Sequence, residues 1–484
     1  MKQITVFTLL LFIVFGATSQ DKKALKFAKT ITEKDLESRL AVLASDSLEG
    51  RETGERGQQM AAEYIASKFK EFGLEPPVDS KDGKSYFQTY PLQKMTYRTA
   101  YMKKGDEQKD NFEDFVYFSR SETKGEEYID VIFAGDETIE SLKTKDLEGK
   151  YVGITQADMS NWRQVLANLA EVKAAGVFLF VEDANSYDFV KQRFKRFLSG
   201  TRLSTVSDEV SNKVIIADTG LAEWIFGKKY AELSASEAPS RIILNADMLV
   251  EDIEVENVLG FLKGTDKPEE VLVVTSHYDH IGISSDGQVN NGADDDGSGT
   301  TTVLELAQAF ATAAQKGSKP KRSILFMTVS GEEKGLLGSE YYTNNPVFPL
   351  ENTVTNLNVD MVGRIDPDHE GKNEEYVYVI GADKLSQELH DLSEKVNKTY
   401  VNIDMDYTYN DENDPNRYYY RSDHYNFAKK DIPIIFYFNG THADYHKPTD
   451  TIEKIRFDVM KKRADLVFFT AWELANRENR VKLK

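Results

Sequence analysis

EVLVVTSHYDH (residues 270–280) is an apolar run of strand length that stops at His277 and Asp279. Three more runs have the same form. RSILFMTVSGEE (322–333) stops at Glu332 and Glu333, TVTNLNVDMVG (353–363) near Asp360, and IPIIFYFNGTHADYH (432–446) at His442 and His446. Between the first two lies NNGADDDGSG (290–299), which sets Asp294, Asp295 and Asp296 just ahead of a helical pattern. In open parallel sheets, ligands gather outside the carboxyl ends of the strands. These side chains are therefore expected to converge on one crevice. Imidazoles mixed with carboxylates suit zinc, and a set this large suits two ions sharing a carboxylate.

Around these runs, strand, loop and helix repeat from about residue 255 onward. After DDDGSG, Val303, Leu306, Ala307 and Phe310 keep helical spacing. FDVMKKRADLVFFTAWELANR (457–477) predicts a closing helix with Val459, Ala464, Val467, Phe468 and Trp472 in the core. This alternation argues an α/β fold with a doubly wound, mostly parallel sheet and flanking helices. Residues 32–75 predict two amphipathic helices around the glycine-punctuated loop SLEGRETGERGQQ, the second ending at Gly73 ahead of Pro76. From about 104 to 127 the chain turns polar and charged, which marks a boundary. Short strand patterns follow in YIDVIFAG, KYVGITQ, GVFLFVED and NKVIIAD, with a helix expected around 168–176. They predict a smaller inserted α/β or β-rich domain. The expected parts are 1–19, 20–108, the insert at 109–248, and 249–484.

The 484 residues leave room for two to four domains at about 150 residues each. The formal charge is 60 − 80 = −20. Nucleic acid is not the expected partner, because phosphate-binding surfaces carry a basic stripe. There is no cysteine, which excludes disulfides, thiol catalysis and Cys-ligated zinc. At the N-terminus, Lys2 precedes an almost wholly apolar run from Ile4 to Ala17, with small residues through Ser19. This reads as a secretory signal peptide over 1–19 and implies export to a periplasmic or extracellular space. No later stretch is long and apolar enough to span, so no stable membrane span is expected after cleavage. All seven histidines lie at or beyond His277, which confines imidazole chemistry to the C-terminal half.

Alternate strand residues point the same way, so Asp279 is expected to take the second N–H of the His277 imidazole. Asp294, Asp295 and Asp296 admit two readings. One is a loop capping the next helix through Asp296 or Ser298; the other is a carboxylate that bridges two cations. Glu332 and Glu333 are adjacent carboxylates that call for different tasks. One would ligate metal while the other stays free to take a proton. Asp360 alone at a strand end is weak evidence, and Tyr445-His446 gains weight from its company.

Five ordered strings, SHYDHIG, NNGADDDGSGTTTVLELAQ, SGEEKGLLGSEYY, LNVDMVGR and DYHKPTDT, resemble the M28 family of zinc metallopeptidases. RSDHYNFAKKDIPIIFYF and the N-terminal LASDSLEGRETGERGQQMAAEYIASKFKEFGLEP resemble members too. The insert resembles, more weakly, the protease-associated domain of many relatives. The resemblance implies a zinc-exopeptidase-like fold, two Zn2+ ions per chain and peptide or protein substrates. It implies Asp295 as the bridge, Glu333 and His446 completing one site, and His277 and Asp360 the other. Glu332 would be the general base, Asp279 the partner of His277, and the Asp295–Asp296 peptide cis. Tyr445 would stabilise the tetrahedral intermediate, with His424 and His442 as further contacts near the site. An exported aminopeptidase is the expected activity. A carboxypeptidase or glutaminyl-cyclase-like enzyme of the same fold, or a non-catalytic receptor-like protein, is the alternative. Arg417 and Arg421 are candidate contacts for a substrate carboxylate.

Overall fold

The structure is a computed structural model that describes residues 20–119, 122–123, 125–169, 171–198, 202–206 and 213–484. The expected signal peptide, 1–19, lies outside the described residues. The chain divides into two compact units, one of residues up to Tyr90 with Val255–Lys484, the other Pro91–Glu254.

The first unit is built on strands β1 (Lys267–His277), β2 (Arg322–Val329), β3 (Thr353–Val359), β4 (Tyr376–Ile380), β5 (Asp404–Asp406) and β6 (Ile434–Phe438), which lie in the order β5-β4-β6-β3-β1-β2. The four strands β2, β1, β3 and β6 run parallel. β4 is antiparallel to β6, and residues 258–262 pair antiparallel with the outer edge of β2. Helices cover both faces, as a mostly parallel sheet requires. They are α1 (Lys22–Ala28), α2 (Glu33–Leu43), α3 (Arg56–Phe72), α4 (Gly299–Gln315), α5 (Leu337–Asn344), α6 (Gln387–Tyr400), α7 (His424–Ala428) and α8 (Phe457–Asn476).

Strand periodicity sorts the core. Leu272 and Val274 of β1 join Leu40 of α2, Phe69 of α3, Phe310 of α4 and Trp472 of α8 on one face. Val271 and Val273 join Tyr342 of α5 and Phe427 of α7 on the other. α4 is buried nearly all round, because its VLELAQAFA stretch carries apolar residues on every side. α3 ends where expected: Gly73 takes φ +82° as its C-cap, a conformation that L side chains rarely adopt.

The second unit has its own parallel strands, Glu127–Gly135, Leu147–Gln156, Ala174–Val181 and Lys213–Asp218, with Phe115–Phe118 antiparallel at the edge. Phe178 and Phe180 face one core, Val177, Leu179 and Val181 the other. Its limits fall outside the expected 109–248, because the chain crosses the boundary within the extended segments Phe87–Lys104 and Ser240–Leu262. The helix expected around 168–176 lies earlier, at Trp162–Leu169; Ala174 and Ala175 already belong to the next strand. Among the described residues, no helix is long and apolar enough to cross a membrane.

Candidate metal centre

The parallel register sets the strand ends side by side. His277 pairs with Val329, the residue before the Ser330-Gly331-Glu332-Glu333 turn; Thr275 pairs with Asn358, two residues before Asp360. At the end of β3, Val359 pairs with Tyr437 of β6, the strand that leads to the His446 loop. The expected ligands are thus delivered by four neighbouring strands and by the turn before α4.

Asp295 lies at the centre. Its Oδ1 is 3.4 Å from Nε2 of His277, and that nitrogen is 3.5 Å from Oδ1 of Asp360 and 3.9 Å from Oε2 of Glu332. Its Oδ2 is 3.1 Å from Nε2 of His446, which lies 3.1 Å from Oε2 of Glu333. The two oxygens of one carboxylate therefore face two clusters. His277, Glu332 and Asp360 form one group spaced to hold a cation; His280, Asp295 and Glu333 form another. Nε2 of His277, Oδ2 of Asp295 and Oε1 of Glu333 are buried without a hydrogen-bond partner. Buried polar atoms are ordinarily paired, so unpaired imidazole and carboxylate atoms turned to common points fit zinc ligation.

Electrostatics agree with a site that draws in positive charge. Burial favours neutral His277, but Glu332 and Asp360 override it and hold the ring well above the usual histidine range. Burial opposes ionisation of Asp295; His277 and His446 overcome this and keep its carboxyl well below the usual range. His446 is raised to about 10, Asp295 and Glu333 outweighing its burial. Glu332 goes the other way: burial, with Asp360 and Glu333 nearby, lifts its carboxyl well above the ordinary value. Burial also raises the Tyr445 phenol, as do Asp295 and Glu333, so it stays protonated. The Tyr445 ring stacks on His446 at 3.9 Å between centroids.

The three adjacent aspartates do separate work. Asp296 accepts the backbone N–H of Gly299 (2.8 Å), at the start of α4, and those of Met361 (3.0 Å) and His277 (3.2 Å). It caps a helix and ties two strand ends together. Asp294 accepts from Gly363 N–H (2.7 Å) and Asn439 (3.1 Å) and lies 3.1 Å from Nε2 of His442. Asp295 alone points both oxygens into the cleft, and the Asp295–Asp296 peptide is cis. Asp450, which the sequence reading passed over, accepts the backbone N–H groups of Asp294 (3.0 Å) and Asp295 (3.2 Å).

Asp279 lies beside His277 in a different manner from the strand-parity expectation. Nδ1 of His277 is 3.1 Å from the backbone carbonyl of Asp279 and 3.7 Å from its carboxylate. β1 ends at His277, so strict alternation no longer applies two residues later. The carboxylate accepts the Thr53 hydroxyl (2.7 Å) and the backbone N–H groups of Glu332 (3.2 Å) and Glu333 (3.4 Å), which fixes the turn that carries both glutamates.

A cavity of about 30 Å³ opens beside His277, Asp295, Glu332 and Asp360, walled by Met361, Tyr418, Arg421, Phe436, Phe438, Thr441 and Tyr445. Arg421 lies over the Tyr418 ring at 4.7 Å, whereas Arg417 lies over Tyr420 and is not in the wall. His424 stays outside the clusters, stacked on Phe436 at 4.5 Å with Nε2 2.8 Å from the Tyr419 carbonyl.

Residues 257–471, which include all the expected ligands, match the model of Peptidase family M28. This chain carries a peptidase family M28 domain. The chain is 28% identical over 272 residues to a probable leucine aminopeptidase of Arthroderma otae, covering 54% of this chain and 69% of that one. A probable zinc metalloprotease of Pyrenophora tritici-repentis is 39% identical over 120 residues, which span only 23% of this chain and 22% of the relative. An aminopeptidase structure from Aneurinibacillus sp. strain AM-1 has the same fold as the chain, with a TM-score of 0.58 at 19% identity, covering 95% of this chain and 97% of that one.

Proposed function

We propose that the chain is an exported dizinc aminopeptidase that releases N-terminal residues from peptides. The observation that carries this reading is the Asp295 carboxylate, with Oδ1 toward His277 and Oδ2 toward His446. His277, Asp360 and Asp295 would hold one ion, and Asp295, Glu333 and His446 would hold the other. Zinc held there supplies Lewis-acid polarisation of a carbonyl oxygen and of water.

The chain's own groups do the rest. Glu332, whose affinity for a proton is raised by burial, takes one from the attacking water. It then returns that proton to the leaving amine. Tyr445, protonated at the cavity wall, donates a hydrogen bond to the oxyanion as it develops. Asp279 keeps Glu332 and Glu333 in register through their backbone N–H groups. Met361, Phe436 and Phe438 receive the apolar part of a substrate side chain, and Arg421 at the same wall can meet a carboxylate. The apolar N-terminal run supports export, and the unit at 91–254 is read as a protease-associated domain.

The test uses a pool of peptides, each with a free and an acetylated N-terminus, followed by mass spectrometry with and without chelator. Chelator-sensitive loss of single N-terminal residues from the free peptides alone is the expected result. Trimming from the C-terminus would replace the reading with a carboxypeptidase.

A further inference from the structure

The five ligands leave out an imidazole that the fold buries in the same cleft. His280 follows the end of β1 by three residues, its backbone N–H pinned to the Arg51 carbonyl at 3.1 Å. Its side chain is 0% exposed. Buried ring nitrogens ordinarily find partners, yet neither nitrogen of His280 has a hydrogen-bond partner. Nδ1 lies 2.9 Å from Oε1 of Glu333 and 3.8 Å from Oδ2 of Asp295, and those two oxygens are likewise unpartnered.

So short an approach without hydrogen-bond alignment does not describe a donor and its acceptor. It describes lone pairs turned toward a shared point. The backbone is shaped to admit the ring: Gly292 sits at φ +55°, and a Cβ there would fall 2.6 Å from Cγ and Cδ2 of His280. His446 approaches Glu333 through the other carboxylate oxygen, from a side chain 36% exposed on a loop residue at φ +55°. Glu333 therefore divides its oxygens between a buried imidazole and a solvent-side one.

We propose that His280, through Nδ1, is a ligand of the second zinc site, where it forms a buried triad with Asp295 and Glu333 that His446 closes from the solvent side. The inference rests on the two-ion reading above and departs from the five-ligand set. Its consequence is two unequal ions. Four protein ligands close a zinc site, whereas a catalytic site keeps a position open. The second ion is then the tightly held one, and the open position lies at the first, beside Glu332.

The experiment is X-ray absorption at the zinc edge of the wild-type chain loaded with two equivalents, together with zinc content by mass spectrometry for His280→Ala and His446→Ala after dialysis against a competing chelator. The expected spectrum distributes three imidazoles over two ions. Loss of an orienting partner alone costs zinc sites about 10–100-fold in affinity. His280→Ala is therefore expected to lose one ion with an affinity drop of more than about 100-fold. A spectrum with two imidazoles overturns the inference, as does His280→Ala holding both ions within about 10-fold of wild-type affinity. If His280→Ala does not fold, the wild-type spectrum decides. Binding of one zinc or none by the wild-type chain overturns the two-ion reading itself, and this inference with it, before any substitution is made.

Discussion

Replacing Arg51 tests whether the N-terminal loop braces the metal centre. The residue sits between α2 and α3 at φ +51° and is 1% exposed. Its guanidinium donates to four backbone carbonyls: Nε to Tyr278 (2.8 Å), Nη1 to Leu43 (2.5 Å) and Asn291 (2.6 Å), and Nη2 to Gly292 (3.0 Å). Tyr278 follows His277, and Asn291 and Gly292 lead into Asp294–Asp296, so one side chain clamps both loops that carry the proposed ligands. Hydrogen bonds to charged groups contribute about 1.5–3 kcal/mol each, a gross sum of roughly 6–12 kcal/mol for four. Against this stands the burial of a cation, strong enough to lower the Arg51 pKa even with Asp295, Asp279 and Asp296 nearby. Arg51→Met fills most of the volume, removes that burial cost and lets water reach some carbonyls. The net loss is expected at about 3–5 kcal/mol, in the range for breaking a buried charged network. Urea unfolding followed by circular dichroism measures it. Arg51→Lys keeps the charge but not the planar fork, and should recover less than half of the loss. A change under about 1 kcal/mol for Arg51→Met would refute the clamp, because each carbonyl that water does not reach costs about 1–3 kcal/mol when left unpaired. A lysine variant equal to wild type would show that charge matters and geometry does not.

Three further outcomes are expected. Glu332→Gln should lower turnover by roughly 10²–10⁴-fold, the worth of a general base, with both zinc ions still bound; a fully active variant would remove its assigned role. Asp295→Asn should lower zinc content itself, and two ions retained at wild-type affinity would contradict the bridge. Burial drives the His424 pKa down to about 3, against about 6.5 in an unfolded chain. The unfolded state therefore binds a proton below about pH 6.5 that the native state refuses, and stability falls as pH drops, by up to about 1.4 kcal/mol per unit. His424→Gln should flatten that slope between pH 6 and pH 4; an unchanged urea-midpoint slope would place the effect elsewhere.

The sheet was legible because its strands announce themselves twice, as apolar runs and by the titratable residues at their ends. β1, β2, β3 and β6 are buried on both faces, so continuous Val, Ile, Leu and Phe carry the signal. Strand parity explains why Leu272 and Val271 enter different cores, and it misleads at Asp279 because β1 stops at His277. Composition placed the insert's first edge in the charged stretch after Lys104 and its second near 248, whereas the chain crosses between units inside extended segments, which have no compositional mark.

Within the site, the residues that sequence reasoning passed over act through neighbours distant in the chain. Asp450 orders Asp294 and Asp295 through backbone N–H groups, and no local pattern reports such a contact. His280 stands in plain view in SHYDH, but only its burial and its unpartnered nitrogens separate it from an ordinary loop histidine. Asp296 was open between capping and bridging. The three N–H groups it accepts assign it to capping and to joining strand ends.

The most direct test of the account is zinc titration of the metal-stripped chain, with release of N-terminal residues from a free-amine peptide followed at each addition. Activity that rises and reaches its plateau at two equivalents is the predicted result. A plateau at one equivalent, or cleavage that persists without metal, would contradict a centre built on Asp295 between two ions.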